Sequence, residues 1–188
     1  MPYSIIPLDK SFPEEGKKYL LDANVWKFIL SLPQNLTPEE LAYVNFFDAI
    51  INLSSNPLCK DKPSIYINGL IISEVYNAHM RSHWDAYNLT IANDVKFKDY
   101  RSTQDFKKNL SNIKSDFKAY LPYLEIGTDL IHSPDKILLE MPSFSDYNDH
   151  YYFKIAQSNG HTIITNDGDF KYQDINILTM RPQLLALH

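Results

Sequence analysis

The sequence predicts an α/β fold, a three-layer α/β/α sandwich around a central parallel sheet, and three observations predict it. Short apolar runs that do not alternate with polar residues occupy residues 17–21 (KKYLL), 64–68 (SIYIN), 161–165 (HTIIT) and 176–180 (NILTM), as expected of strands buried on both faces. Stretches with helical periodicity separate most of these runs, and crossover helices imply parallel pairing. Capping and breaking residues stand where one kind of segment gives way to the other.

Length and composition agree with a single domain. A chain of 188 residues, 44% hydrophobic and 22% charged, buries enough surface to fold without a disulfide or zinc staple. Its one cysteine, Cys59, leaves no internal disulfide framework and suits a reducing compartment. No apolar run reaches the length of a membrane span, and no basic region precedes a long apolar stretch at the N-terminus. The expected setting is the cytoplasm, with no membrane partner.

Taken in order, residues 17–21 lie between Gly16 and Asp22 and read as a central strand. A short helix follows over 25–30 and is stopped by Pro33. Thr37-Pro38-Glu39-Glu40 forms a capping box with proline at the first helical position, and Leu41, Val44, Phe47 and Ile51 extend that helix to about residue 54. Residues 56–63 are a polar connection, 64–68 a second strand, and residues 69–74 lead into a helix reaching about 84. Two polar helices are predicted within 85–121, anchored by Phe97, Phe106, Phe117 and Tyr120. Residues 123–140 hold a short strand or a short helix. Ser143 or Ser145 is expected to cap a helix over 146–158, which Asn159-Gly160 ends. Strands over 161–165 and 176–180 follow, and Arg181-Pro182 breaks the chain before a final LLAL segment. The whole reads as one domain with a polar helical insertion at about 85–140.

Acidic residues fall where such a fold concentrates them. Asp22 follows the first strand, Glu74 lies in the helix after the second, Asp149 is early in the helix before HTIIT, and Asp167 and Asp169 follow HTIIT. In an open parallel sheet the carboxyl ends of the strands line one crevice. The formal charge of −5 equals this set of five acids, so the rest of the chain is balanced. Two carboxylates about 4 Å apart repel by roughly 4 kcal/mol at an effective dielectric near 20. A shared cleft therefore needs protonation or a hard dication. Oxygen ligands without cysteine select Mg²⁺ or Mn²⁺ over zinc, and such a centre suits phosphate-ester hydrolysis. Each acid taken singly is as readily a helix cap.

Four stretches carry a family resemblance. Tyr19-Leu20-Leu21-Asp22-Ala23-Asn24-Val25, Ile71-Ile72-Ser73-Glu74-Val75-Tyr76-Asn77, Asp146-Tyr147-Asn148-Asp149 leading to Ile155-Ala156, and residues 160–170 (GHTIITNDGDF) together resemble the PIN-domain family in order and spacing. The resemblance covers about 17–84 and 143–180. It implies a Mg²⁺- or Mn²⁺-dependent ribonuclease, most often the VapC-type toxin of a toxin–antitoxin pair. RNA is then the substrate, and a cognate antitoxin and a second copy of the chain are the partners. By this resemblance Asp22, Glu74, Asp149 and Asp167 are the catalytic, metal-holding quartet. Asp169 is a further acid of the last motif, and Asn24 and Thr165 support the first and last acids. Two features depart from the family: residues 150–154 (HYYFK) are bulky where small residues are usual, and 85–140 is longer and more polar than in a minimal toxin.

Other signals are less specific. His79 and His83, four residues apart on a helix, have a zinc-ligating spacing, but the stretch HMRSH lacks the Glu of a metalloprotease motif and a third ligand, so a solvated helix face is the better reading. Arg81 and His150 are candidates for contact with substrate phosphate. Between Asp94 and Lys118 seven basic residues face four acids, either a basic wall for single-stranded RNA or amphipathic helices with solvated lysines. Two rival functions remain. In a haloacid-dehalogenase-like phosphatase, Asp22 is the nucleophile and Gly168-Asp169 with Asp174 forms the last acidic motif, although Asn24 stands where that family has Asp. The other rival is a catalytically inactive PIN binding module.

Overall fold

A computed structural model describes residues 4–31, 33–127 and 134–187. Among these residues six strands form one parallel sheet: β1 (Ile5–Pro7), β2 (Lys18–Leu21), β3 (Ser64–Ile67), β4 (Leu124–Ile126), β5 (Thr162–Ile164) and β6 (Ile177–Thr179). Their order across the sheet is β1-β6-β5-β2-β3-β4. Tyr19 is in register with Ile65 on one side and Thr162 on the other, so β2 is central. Its Tyr19, Leu20 and Leu21 are all buried, which is why the run shows no alternation.

The order reverses at β2. From there the chain steps outward through β3 to β4, then returns past β2 to β5 and β6. Helices α1 (Ala23–Ile29), α2 (Pro38–Ser55) and α3 (Gly69–Asn88) follow β2 and β3, and then come α4 (Phe97–Tyr100) and α5 (Gln104–Tyr120). The return path carries α6 (Pro134–Glu140) and α7 (Tyr147–Asn159), and α8 (Pro182–Leu185) closes the chain. Right-handed crossovers in opposite directions place the two helix groups on opposite faces, giving three layers.

Local chemistry explains the boundaries. The predicted capping box is formed: Thr37 Oγ1 accepts the Glu40 N–H at 3.3 Å while Glu40 Oε2 accepts the Thr37 N–H at 2.8 Å. Gly160 ends α7 at φ 66°, a left-handed conformation that costs glycine nothing. Trp26 is fully buried against Phe47, Phe117 and Tyr120, tying α1, α2 and α5 into one core.

Several expectations need correction. Asp146, not Ser143 or Ser145, caps α7, its Oδ1 accepting the Asp149 N–H at 2.9 Å. Strand β1 had no sequence signal. Residues 123–140 contain both a strand and a helix, with residues 128–133 outside the described residues. Because β4 pairs with β3 through Tyr66 and Glu125, the 85–140 stretch contributes the sheet edge as well as helices. Lys18 Nζ and Ser64 Oγ both donate to Glu125 there. Among the described residues no helix is long and apolar enough to cross a membrane.

Candidate functional site

The strand order reverses at β2, the switch point at which open parallel sheets place their ligand crevice, outside the carboxyl ends of the strands. Asp22 directly follows β2 and sits at the N-cap position of α1, yet its side chain makes no capping bond. It is 6% exposed and is held instead by Thr165, whose Oγ1 donates to Asp22 Oδ2 at 2.8 Å. Thr165 is fully buried just past β5 and accepts the Asp167 N–H at 3.0 Å on the same oxygen. One hydroxyl thus links the acids after β2 and β5. Asn24 is exposed, and its amide reaches the same Asp22 oxygen only at 3.5 Å.

Glu74 enters from α3 and Asp149 from the first turn of α7. The capping of α7 uses Asp146's carboxylate and Asp149's N–H, so the Asp149 carboxylate is not spent on its own helix. Electrostatics shows that the acids share a space. Burial, then the charges of Asp22, Asp146, Asp167 and Glu74, pushes the Asp149 carboxyl up to about 8. Burial likewise raises Asp22 to about 6; the Thr165 hydrogen bond opposes this, while Asp167 and Glu74 add to it. The carboxylates of Asp22, Glu74, Asp149 and Asp167 thus lie within reach of one another's charge.

Their donor set is all carboxylate oxygen, the chemistry of a hard dication, and a cation among them relieves the repulsion that raises Asp149. In donor type the residues therefore fit Mg²⁺ or Mn²⁺. Their placement is looser than a finished ligand shell: among the described residues no three His, Cys, Asp or Glu side chains are gathered into a chelating set. Glu74 explains part of this. Asn148 Nδ2 donates to its Oε1 and the Tyr152 hydroxyl donates to its Oε2, so both carboxylate oxygens are engaged by α7.

Other predicted site residues lie elsewhere. Asp169 is exposed, its side chain 78% so, and pairs with Lys171 at 3.2 Å; its backbone N–H, not its carboxylate, serves the site by donating to Asp167 Oδ1 at 2.8 Å. His150 is 3% exposed, hydrogen-bonded through Nδ1 to the Tyr172 hydroxyl at 2.8 Å and packed on Phe153. It is a core residue, not a phosphate contact, because its side chain lies on the inward face of α7. Arg81 places its guanidinium over the Phe97 ring at 5.2 Å, between α3 and α4, so its charge is directed to that aromatic face. Asp174, which a dehalogenase-like site requires, is exposed and absent from the charges acting on Asp22 or Asp149. His79 and His83 face each other, Nε2 to Nε2 at 3.0 Å, on α3.

Asn148 and Tyr152 were not foreseen as site residues. Their i, i+4 spacing on α7 was the available signal, since such a pair shares a helix face. The bulky 150–154 run contains one of them.

No family model and no curated protein matches the chain. Among solved structures it is similar to PAE2754 from Pyrobaculum aerophilum, 17% identical, covering 86% of this chain and 91% of that one with a TM-score of 0.48. It is also similar to a chain in the structure of VapBC2 from Rickettsia felis bound to a DNA fragment from their promoter, 14% identical, covering 86% and 98%, with a TM-score of 0.47. Both likenesses concern the course of the chain and assign no role to any residue.

Proposed function

We propose that this chain is a Mg²⁺- or Mn²⁺-dependent endoribonuclease, the toxin of a toxin–antitoxin pair. The observation that supports it most is the Thr165 hydroxyl joining Asp22 to the Asp167 loop, beside an Asp149 carboxyl raised first by burial and then by the charges of Asp22, Asp146, Asp167 and Glu74. In this reading Asp22, Glu74, Asp149 and Asp167 hold the cation, directly or through water. When bound, a hard dication supplies positive charge to the phosphate and acidifies a water for in-line attack. Thr165 fixes Asp22 and the Asp167 loop relative to one another, and Asn24 borders Asp22 from solvent. Glu74 would hold the cation only in place of its hydrogen bonds from Asn148 and Tyr152. No side chain serves as a nucleophile. The antitoxin partner and pairing with a second copy rest on the resemblance of the four sequence stretches.

The test is incubation of the purified protein with structured and unstructured RNAs, with Mn²⁺ or with chelator, beside Asp22→Asn. Cleavage that requires Mn²⁺ and is lost in Asp22→Asn, with the fold intact, is the expected result. Cleavage that persists in that variant, or in chelator, contradicts the proposed centre.

A further inference from the structure

Lys27, Arg181 and Lys171 line hollows beside the Asp167 loop. A hollow of about 310 Å³ beside Asp167 is lined also by Lys27 of α1, Asn166, Arg181 and Glu40, whose carboxylate is engaged in the capping box of α2. A second, of about 260 Å³, is lined by Lys171 with its ion-pair partner Asp169, by Gln183 and again by Arg181. Gly168 borders both, so a glycine and an arginine form the lip between them.

Arg181 is set in place before any ligand arrives. Its Nε donates to the Asn166 carbonyl at 2.6 Å and its backbone N–H to Thr179 Oγ1 at 3.0 Å. The Tyr43 hydroxyl braces the same corner, donating to the Thr165 carbonyl and accepting the Met180 N–H. Among the described residues neither Arg181 nor Lys27 forms an ion pair. A guanidinium tethered through Nε to a neutral carbonyl keeps its terminal N–H groups and its full charge for an anion.

We infer that Lys27 and Arg181 bind backbone phosphates of a single-stranded nucleic acid, which leaves the acidic cleft over the Asp167 loop and crosses Arg181 toward Lys171. The inference rests on the nuclease reading of that cleft and adds the path of the strand. Four converging carboxylates repel a polyanion, so the flanking phosphates need compensating charge close by. Among the described residues, hollow, fixed cation and Asp167 meet on this flank. Two lysines of α5 lie on a different surface: Lys114 and Lys118 border an apolar groove with Leu110, Phe117 and Ile126. Contacts to phosphate carry no sequence information, so the path fixes strand direction and not base preference.

Fluorescence anisotropy with a short unstructured oligoribonucleotide in chelator, where nothing is cleaved, tests this. Arg181→Gln and Lys27→Gln are each expected to weaken binding about tenfold and to reduce the slope of log affinity against log salt by about 0.7. Lys118→Gln should match the wild type. Arg181→Lys, which keeps the charge and loses the Nε tether, should bind between the wild type and Arg181→Gln. Equal binding by the Gln variants and Lys118→Gln overturns the proposal, as does a wild type that binds no oligonucleotide. Inorganic phosphate should displace the strand no better than chloride of equal ionic strength; specific displacement would mark a free-anion site and also overturn it. Arg181-dependent binding by a protein that fails to cleave with Mn²⁺ removes the nuclease reading and leaves the strand path standing.

Discussion

Thr165 holds Asp22 through a hydrogen bond of 2.8 Å from Oγ1 to Oδ2, and the same oxygen accepts the Asp167 N–H at 3.0 Å. A buried hydroxyl between two acids sets their separation and favours the charged form of Asp22. Thr165→Val keeps the shape and removes the donor. Leaving a buried carboxylate short of a partner costs about 1–3 kcal/mol. The variant should lose stability of that order in denaturant unfolding, and calorimetric titration should show weaker Mn²⁺ binding. Unchanged values for both would make Thr165 a packing residue only.

Tyr152 competes with the cleft for Glu74. Its hydroxyl, pushed far above the ordinary phenol range by burial and by its hydrogen bond to Glu74, is a committed donor. Tyr152→Phe frees one Glu74 oxygen while Asn148 still engages the other. Mn²⁺ affinity should rise a few-fold in calorimetry. A fall instead would assign Tyr152 the role of positioning Glu74 for the cation.

Stability without divalent cations should decline between about pH 7 and 8.5. Asp149 is raised from 3.8 to about 8, so in this window the folded chain binds more protons than the unfolded one, and stability falls as pH rises. Below about pH 6.5 buried histidines act in the opposite sense. His79 is lowered to about 4, with His83, His150 and His161 also lowered, so acid protonates them first in the unfolded chain and destabilises the fold. The alkaline window isolates the carboxylates. Denaturant midpoints in chelator should drop from pH 7 to 8.5 and stay flatter in Asp149→Asn; an equal slope in the two proteins would contradict the assignment.

Much of the architecture was legible because its signals are local. The buried runs of β2, β3, β5 and β6 lack alternation, and Thr37 with Glu40 states the start of α2. The acids were legible because strand ends in a parallel sheet face one way. What was missed depends on distant packing. β1 is three residues ending in proline, an edge strand whose pairing with Ile177–Thr179 brings opposite ends of the chain together. Asp146 beside Ser143 and Ser145 offered three plausible caps, and only the path of the chain selects among them. His150 lies next to Asp149, yet adjacent helical residues point about 100° apart, so one reaches the cleft and the other the core. Arg81 was judged by its helix; Phe97, which receives its charge, comes from another. Arg181 stands far along the chain from Asp22, and nothing local ties it to the Asp167 loop.

A carboxyl-carbon NMR titration of Asp149, in the wild type and in Asp22→Asn with chelator present, bears most directly on the convergence of the acids. The midpoint should lie near 8 in the wild type and fall clearly when the Asp22 charge is removed. An Asp149 that titrates in the ordinary carboxylate range and is indifferent to Asp22→Asn would contradict the account.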